Sequence, residues 1–200
     1  MSNALESKAA LVTGGSRGIG AAVALRLAQD GADVALTYQH NKQRADDVVA
    51  QIKLTGRRAI AVQADSSDPA AVTTAVDRVT GELVRLDILV ITIGSNVGER
   101  VVFPGFTLYP ISKTALIGLT RALGRELGPR AITVNVVNPG PTDTDMNPAD
   151  GPNADAINGF SALGHYAEPA DVAATVAFLA GPGGRYITGA TVSVDGGFNI

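Results

Sequence analysis

Short apolar, β-branched runs alternate with longer segments of helical period from one end of the chain to the other. Ala9 to Thr13 predicts a buried strand, and Gly20 to Asp30 a helix with Val23 and Leu27 on one face. Gly31 follows where helices commonly stop. Val34 to Tyr38 is the next strand, then Arg44 to Leu54 a helix with Val48, Val49 and Ile52 inward, closed by Gly56. Ala59 to Ala64 reads as a third strand, and Pro69 opens a helix carrying Val72, Val76 and Val79. Ile88 to Ile93 is nearly all apolar, and a polar loop leads to a helix from about Pro110 to Leu127. Ile132 to Val137 is a strand, Pro169 to Ala180 a helix, and Thr191 to Val194 a last strand. This alternation predicts βαβ units: one doubly wound α/β (Rossmann) domain over residues 1–200, with about six mainly parallel strands and helices on both faces.

Composition narrows the chemistry. The chain has 200 residues, 16 basic and 19 acidic side chains, and a net charge of −3, which gives no electrostatic footprint for nucleic acid or an anionic membrane. It has no cysteine and only two histidines, His40 and His165, so thiolate chemistry is excluded and a metal site is not expected. The N-terminal MSNALESKAALV does not read as a signal peptide, and no apolar run is long enough to span a bilayer. A cytoplasmic protein is expected.

The first strand runs into Thr13-Gly14-Gly15-Ser16-Arg17-Gly18-Ile19-Gly20 and then directly into a helix. A turn without side chains lets backbone N–H groups approach a pyrophosphate, and the helix N-terminus favours its charge. A tight turn needing glycine only for its dihedrals is the plainer alternative; the position on the first strand-to-helix turn favours the nucleotide. The second strand ends Leu36-Thr37-Tyr38-Gln39 without the carboxylate that would bind a ribose 2′-hydroxyl. Arg17, Lys42 and Arg44 could face a 2′-phosphate, or simply be solvated, so NADP(H) is expected over NAD(H). Asp65, at the end of the third strand, could accept from the adenine amino group, whereas Asp68 before Pro69 fits a helix cap better.

Tyr109 and Lys113 stand four apart, on one face of a helix. A cation beside a phenol favours the phenolate, which makes Tyr109 a candidate general acid or base. Ser95, fourteen residues upstream, could hydrogen-bond a substrate carbonyl as charge develops there. Such a pair alone is commonplace; beside a dinucleotide turn it becomes a candidate active site.

Together these pieces resemble the short-chain dehydrogenase/reductase family, especially its NADPH-dependent 3-oxoacyl-[acyl-carrier-protein] reductase-like members. The matching stretches are TGGSRGIG at 13–20, Asp65, LDILV at 86–90, ITIGS at 91–95, YPISK at 109–113, NVVNPGPTDTD at 135–145 and ITGATVSVDGG at 187–197, in family order. The resemblance implies interconversion of a ketone, with a 3-oxoacyl group as one candidate, and a secondary alcohol. Tyr109 would pass the proton, Ser95 would hold the carbonyl oxygen, and Lys113 would bind the nicotinamide ribose and tune Tyr109. Gly14, Ser16, Arg17, Gly18, Ile19, Gly20, Tyr38 and Asp65 would hold the cofactor, together with Tyr109, Lys113, Pro139, Gly140, Thr142 and Thr144. Asn138 would help line the nicotinamide, residues 145–166 would form a substrate lid, and a homo-oligomer (dimer or tetramer) is implied.

The chain departs from the family at one place. After LDILV the family continues with an Asn-Asn-Ala-Gly stretch, a helix and a further strand ending in the serine; here Ile91-Thr92-Ile93-Gly94-Ser95 follows Val90 directly. Parallel neighbours need a crossover of a dozen or more residues, so one strand must serve where the family has two. The lost helix also carries an Asn of the family's proton relay and half of its dimer-forming helix pair. The chain is then either an active reductase or a dinucleotide-binding protein with impaired or no catalysis. An intact mass matching 200 residues, or one several kDa higher, separates a true truncation from an omitted stretch.

Overall fold

Four consecutive buried residues, Ala9–Val12, form strand β1, and their lack of polar alternation marks a strand covered on both faces. The computed structural model describes residues 3–90, 93–102, 104–105 and 107–200. These fall into two units, Met1–Ile91 and Thr92–Ile200.

In the first unit β1 is followed by α1 (Gly18–Gln29), β2 (Asp33–Tyr38), α2 (Lys42–Leu54), β3 (Ala59–Gln63), α3 (Pro69–Leu83) and β4 (Ile88–Val90). The strands form one parallel sheet in the order β3-β2-β1-β4, with Ala9 opposite Asp33 and Ala10 opposite Ile88. Alternate residues face opposite sides. Ala9, Leu11 and Ala35 pack with Ala75, Val79 and Leu83 of α3. Ala10, Val12, Val34 and Leu36, all fully buried, lie on the other face, where α1 and α2 pack. Helix starts are chemically marked: Asn41 Oδ1 accepts from Arg44 N (3.0 Å), and Asp68 Oδ1 from Ala70 N (2.8 Å) ahead of Pro69.

The second unit contains α4 (Leu108–Leu127), β5 (Val136–Pro139), α5 (Ala154–Asn158), α6 (Pro169–Ala180) and β6 (Thr191–Val194). β5 and β6 pair in parallel, from Val136 opposite Thr191 to Pro139 opposite Val194. Helix α6 begins where Asp171 Oδ2 accepts from Glu168 N (2.8 Å), and it buries Val172, Ala173, Val176 and Ala177. Among the described residues no helix is long and apolar enough to cross a membrane.

The six parallel strands among the described residues match the alternation in the sequence, but they divide into hydrogen-bonded sheets of four and two. The strand expected over Ile88 to Ile93 is β4, ending at Val90; its residues Ile91 and Thr92, also part of the ITIGS motif, lie outside the described residues. The strand expected from Ile132 starts only at Val136; before it one backbone bond, Gly189 N to the Val134 carbonyl (2.7 Å), stands among side-chain bonds and no continuous ladder forms. Thr188 Oγ1 accepts from Val134 N, and the Asn135 amide bonds the Ile187 carbonyl and the Ala190 N–H. Helix α4 begins two residues ahead of Pro110 and so includes Tyr109. The stretch 145–166, expected as a lid without rigid elements, contains α5 and buries Ala154, Ser161 and Tyr166.

Candidate functional site

The glycine turn belongs to the first unit. Gly14 and Gly18 take positive φ (64° and 51°), a conformation that side chains resist. A Cβ on Gly15 would lie 2.6 Å from Leu36 Cβ, and one on Gly20 would lie 2.3 Å from the Gly14 carbonyl oxygen. Gly14 N donates to Thr37 Oγ1 (3.1 Å) and Gly15 N to the Thr37 carbonyl (3.0 Å), so the buried Thr37 holds the turn from below. Arg17 occupies the N-cap of α1 with no side-chain cap bond. The first-turn amides of Gly18, Ile19 and Gly20 therefore lack intrahelical acceptors at the positive end of the helix dipole. That arrangement fits a pyrophosphate.

Around the turn, Tyr38 is buried at the end of β2. Asp65 accepts from Ser67 N and Oγ (both 2.8 Å) and from Gln39 Nε2 (2.6 Å); the Ser67 bonds lead in holding its carboxyl below the usual range. Lys42 pairs with Asp46 at 2.6 Å along α2, and that hydrogen bond raises its ammonium above the ordinary value. Asp46 thus partly offsets one of the cations expected for a 2′-phosphate.

The second unit carries Ser95, Tyr109 and Lys113. Ser95, 9% exposed, caps a 3₁₀ turn over Asn96–Gly98: its Oγ accepts from Val97 N and donates to Asn96 Oδ1, each at 3.4 Å. Lys113 is half-buried and donates to the Ile93 carbonyl at 3.0 Å, while its Nζ lies 5.6 Å from the centre of the Tyr109 ring. Burial lowers the Lys113 ammonium from its usual value. Thr114 Oγ1 donates to the Gly98 carbonyl (3.1 Å), tying α4 to the serine's turn. An open cavity of about 480 Å³ lies between that turn and α4, lined by residues including Val97, Glu99, Ile111 and Thr114.

Pro139 is buried at the end of β5, and Gly140 lies so close to Asp195 that a Cβ would stand 2.7 Å from its α-carbon. The Thr142 hydroxyl donates to the Gly140 carbonyl (3.0 Å), and Thr144 bridges to Asn147.

Residues 8–93 match the short chain dehydrogenase family description, and residues 90–199 match that of Enoyl-(Acyl carrier protein) reductase. Among curated proteins the chain is 37% identical over 238 positions to a cyclic-di-GMP-binding biofilm dispersal mediator protein of Escherichia coli K12, covering 98% of each. It is 34% identical to a 3-oxoacyl-[acyl-carrier-protein] reductase of Synechocystis, over 97% of this chain and 98% of that one. A crystal structure of a short chain dehydrogenase from Burkholderia cenocepacia J2315, in complex with NADP, superposes with TM-score 0.97 at 47% identity, covering 98% of this chain and 100% of that one. The chain belongs to the short-chain dehydrogenase/reductase family.

Within that family the chain is short. An alignment of 238 positions that covers 98% of 200 residues leaves about forty positions of the E. coli relative unmatched. The two family descriptions meet at residues 90–93. Sequence reasoning missed two groups around the site. Thr37 was detectable as a hydroxyl in a buried strand beside a donor-rich turn. Glu99 gave no signal, because the partners that give it a role are 39 and 100 residues away.

Proposed function

We propose that this short-chain dehydrogenase/reductase is an NADP(H)-dependent oxidoreductase that interconverts a ketone, with a 3-oxoacyl group as one candidate, and a secondary alcohol. In this reading residues 1–200 act as a single NAD(P)-binding domain. The observation that carries it is the Tyr109–Lys113 pair: an ammonium beside a phenol, on the same unit as a buried serine hydroxyl. The NADP in the Burkholderia relative and the uncapped glycine turn support the choice of cofactor.

Gly14, Ser16, Arg17, Gly18, Ile19 and Gly20 bind the pyrophosphate end, and Tyr38 and Asp65 the adenosine end. Pro139, Gly140, Thr142 and Thr144 line the nicotinamide. NADP(H), when bound, supplies the hydride for reduction or takes it up in oxidation. The Tyr109 hydroxyl gives its proton to the substrate oxygen as the alcohol forms, and receives it back in the reverse direction. Ser95 donates a hydrogen bond to that oxygen. The Lys113 cation stabilises the phenolate left on Tyr109 and binds the nicotinamide ribose.

The test is NADPH oxidation by the full chain across a ketone panel, with calorimetric NADPH binding alongside. Tyr109→Phe is expected to lower turnover by about 10²–10⁴-fold while NADPH binding stays unchanged. Turnover that survives this substitution overturns the mechanism. The roughly forty positions of the E. coli relative that this chain leaves unmatched favour one second reading, a dinucleotide-binding protein without catalysis. Binding with no turnover on any carbonyl selects it.

A further inference from the structure

Lys113 owes its position to an unusual support. An ammonium on a flexible four-carbon stem settles where an acceptor stands, and here the acceptor is a backbone carbonyl, that of Ile93, at 3.0 Å. The next residue, Gly94, donates its N–H to the Val137 carbonyl of β5 at 2.7 Å. A single backbone bond fixes a distance but leaves the segment free to tilt about it.

A side chain limits that tilt. A Cβ on Gly94 would fall 1.8 Å from Asn138 Oδ1 and 3.0 Å from its Cγ, so the Asn138 amide is packed directly against the Gly94 backbone. Asn138 is 1% exposed, and its Oδ1 is buried without a hydrogen-bond partner among the described residues. No hydrogen bond on the oxygen side therefore sets the amide's rotation. Its nitrogen does: Nδ2 donates to Glu99 Oε1 at 3.0 Å. The other carboxylate oxygen, Oε2, accepts from Asn199 Nδ2 at 3.2 Å. Glu99 is itself held in the turn that follows Ser95, its N–H donating to the Asn96 carbonyl at 2.9 Å.

We infer that Glu99 is a positioning residue for the Tyr109–Lys113 pair, acting through the Asn138 amide and the Ile93–Gly94 segment. The inference rests on the reductase reading above for its catalytic consequence, and on hydrogen bonding alone for its structural one. Without the carboxylate, both polar ends of the buried Asn138 amide lack partners. The amide then rotates in search of one, and the body that rotates is the body against Gly94. The Ile93 carbonyl shifts with it, and Lys113 follows the carbonyl.

The experiment compares Glu99→Ala and Glu99→Gln in the full chain. Glutamine keeps an oxygen for Asn138 Nδ2, and once the Asn199 amide turns over, the glutamine nitrogen can meet Asn199 Oδ1, which is also buried without a partner among the described residues. Hydrogen exchange at the Gly94 amide is the first readout, and the pH profile of kcat with the NADPH Kd is the second. Glu99→Ala is expected to speed Gly94 exchange by about tenfold, the scale of one lost hydrogen bond to a charged group. It should also lower kcat by about tenfold and shift a limb of the profile, with Kd unchanged and Glu99→Gln close to the parent. Parental Gly94 exchange in Glu99→Ala overturns the inference. So does a fall in kcat with neither faster exchange nor a shifted profile, or a Glu99→Gln variant that behaves like Glu99→Ala. A parent with no turnover sinks the reductase reading, while the exchange comparison still decides whether Glu99 holds Gly94.

Discussion

The strands of the first unit and helix α4 of the second carry equally clear apolar patterns, yet only the strands are covered. β1 is buried at all four positions and β2 at five of six, between helices on both faces. Helix α4 is 20 residues long and buries only Thr120 and Gly124, leaving Leu108, Ile111 and Leu119 more than half exposed. The difference lies in partners: an apolar stripe encodes a demand for cover, and the demand is met only when the chain supplies the covering element. Each sheet ends at a strand with one paired neighbour, β4 in the first unit and β5 in the second.

Core truncation should show the contrast at its largest. Leu36→Ala removes a fully buried side chain of β2, and the cost should be about 3–4 kcal/mol by urea denaturation. A cost below about 1 kcal/mol would mean that the first unit is no better packed than α4. The next effect comes from overpacking the glycine turn. Gly20→Ala drives a methyl group toward the Gly14 carbonyl, a backbone atom that cannot swing aside. The expected cost is about 2 kcal/mol of stability, with calorimetric NADPH binding weakened by about a hundredfold, which is near 2.7 kcal/mol.

Titration sharpens the same contrast. The Asp87 carboxylate, 15% exposed, pairs with Arg85 (Nε at 2.6 Å) and accepts from Ala9 N (2.9 Å), joining the approach to β4 with β1. Burial is the largest influence and pushes its carboxyl upward. Arg85, the Ala9 amide and Lys8 together outweigh it, so the value lies below the ordinary one. The folded state therefore gains stability that is fully present above pH ~4, the unfolded carboxyl value, and is lost as pH falls through the lower folded value. Asp87→Asn should cost about 1–2 kcal/mol at pH 7 and flatten the acid limb of stability. An unchanged acid limb would remove Asp87 from the account.

Much of this was legible in the residues. Helix α6 and strand β6 run as their periodicity and Pro169 predict, and the glycine turn stands between β1 and α1. Strand pattern failed at Ile132–Asn135, where Thr188 and Asn135 side chains supply most of the hydrogen bonds and no continuous ladder forms. Local sequence carries propensity and face, but not which distant polar group will compete for a backbone donor. The Ser95, Tyr109 and Lys113 positions were visible as a motif. Their supports, the Ile93 carbonyl and the Glu99–Asn138 bond, were not, because a backbone carbonyl has no residue signature and the bond spans 39 residues.

The smallest expected effect tests the exposed side of the comparison. Leu119 on α4 is 53% exposed, and replacing it with Lys removes an apolar side chain that contributes little to burial. Lysine has nearly the same helix propensity as leucine, so the helix itself should not object. The expected change in unfolding free energy is within about 0.5 kcal/mol, the range of surface substitutions with no special role. The same lysine at Leu36 would bury an unpaired charge. If Leu119→Lys costs several kcal/mol, the face is covered in solution by something that binds the folded chain, and the cost should then depend on protein concentration if that cover is a second copy. Unfolding curves at two concentrations a hundredfold apart distinguish a bare helix face from one buried in an assembly.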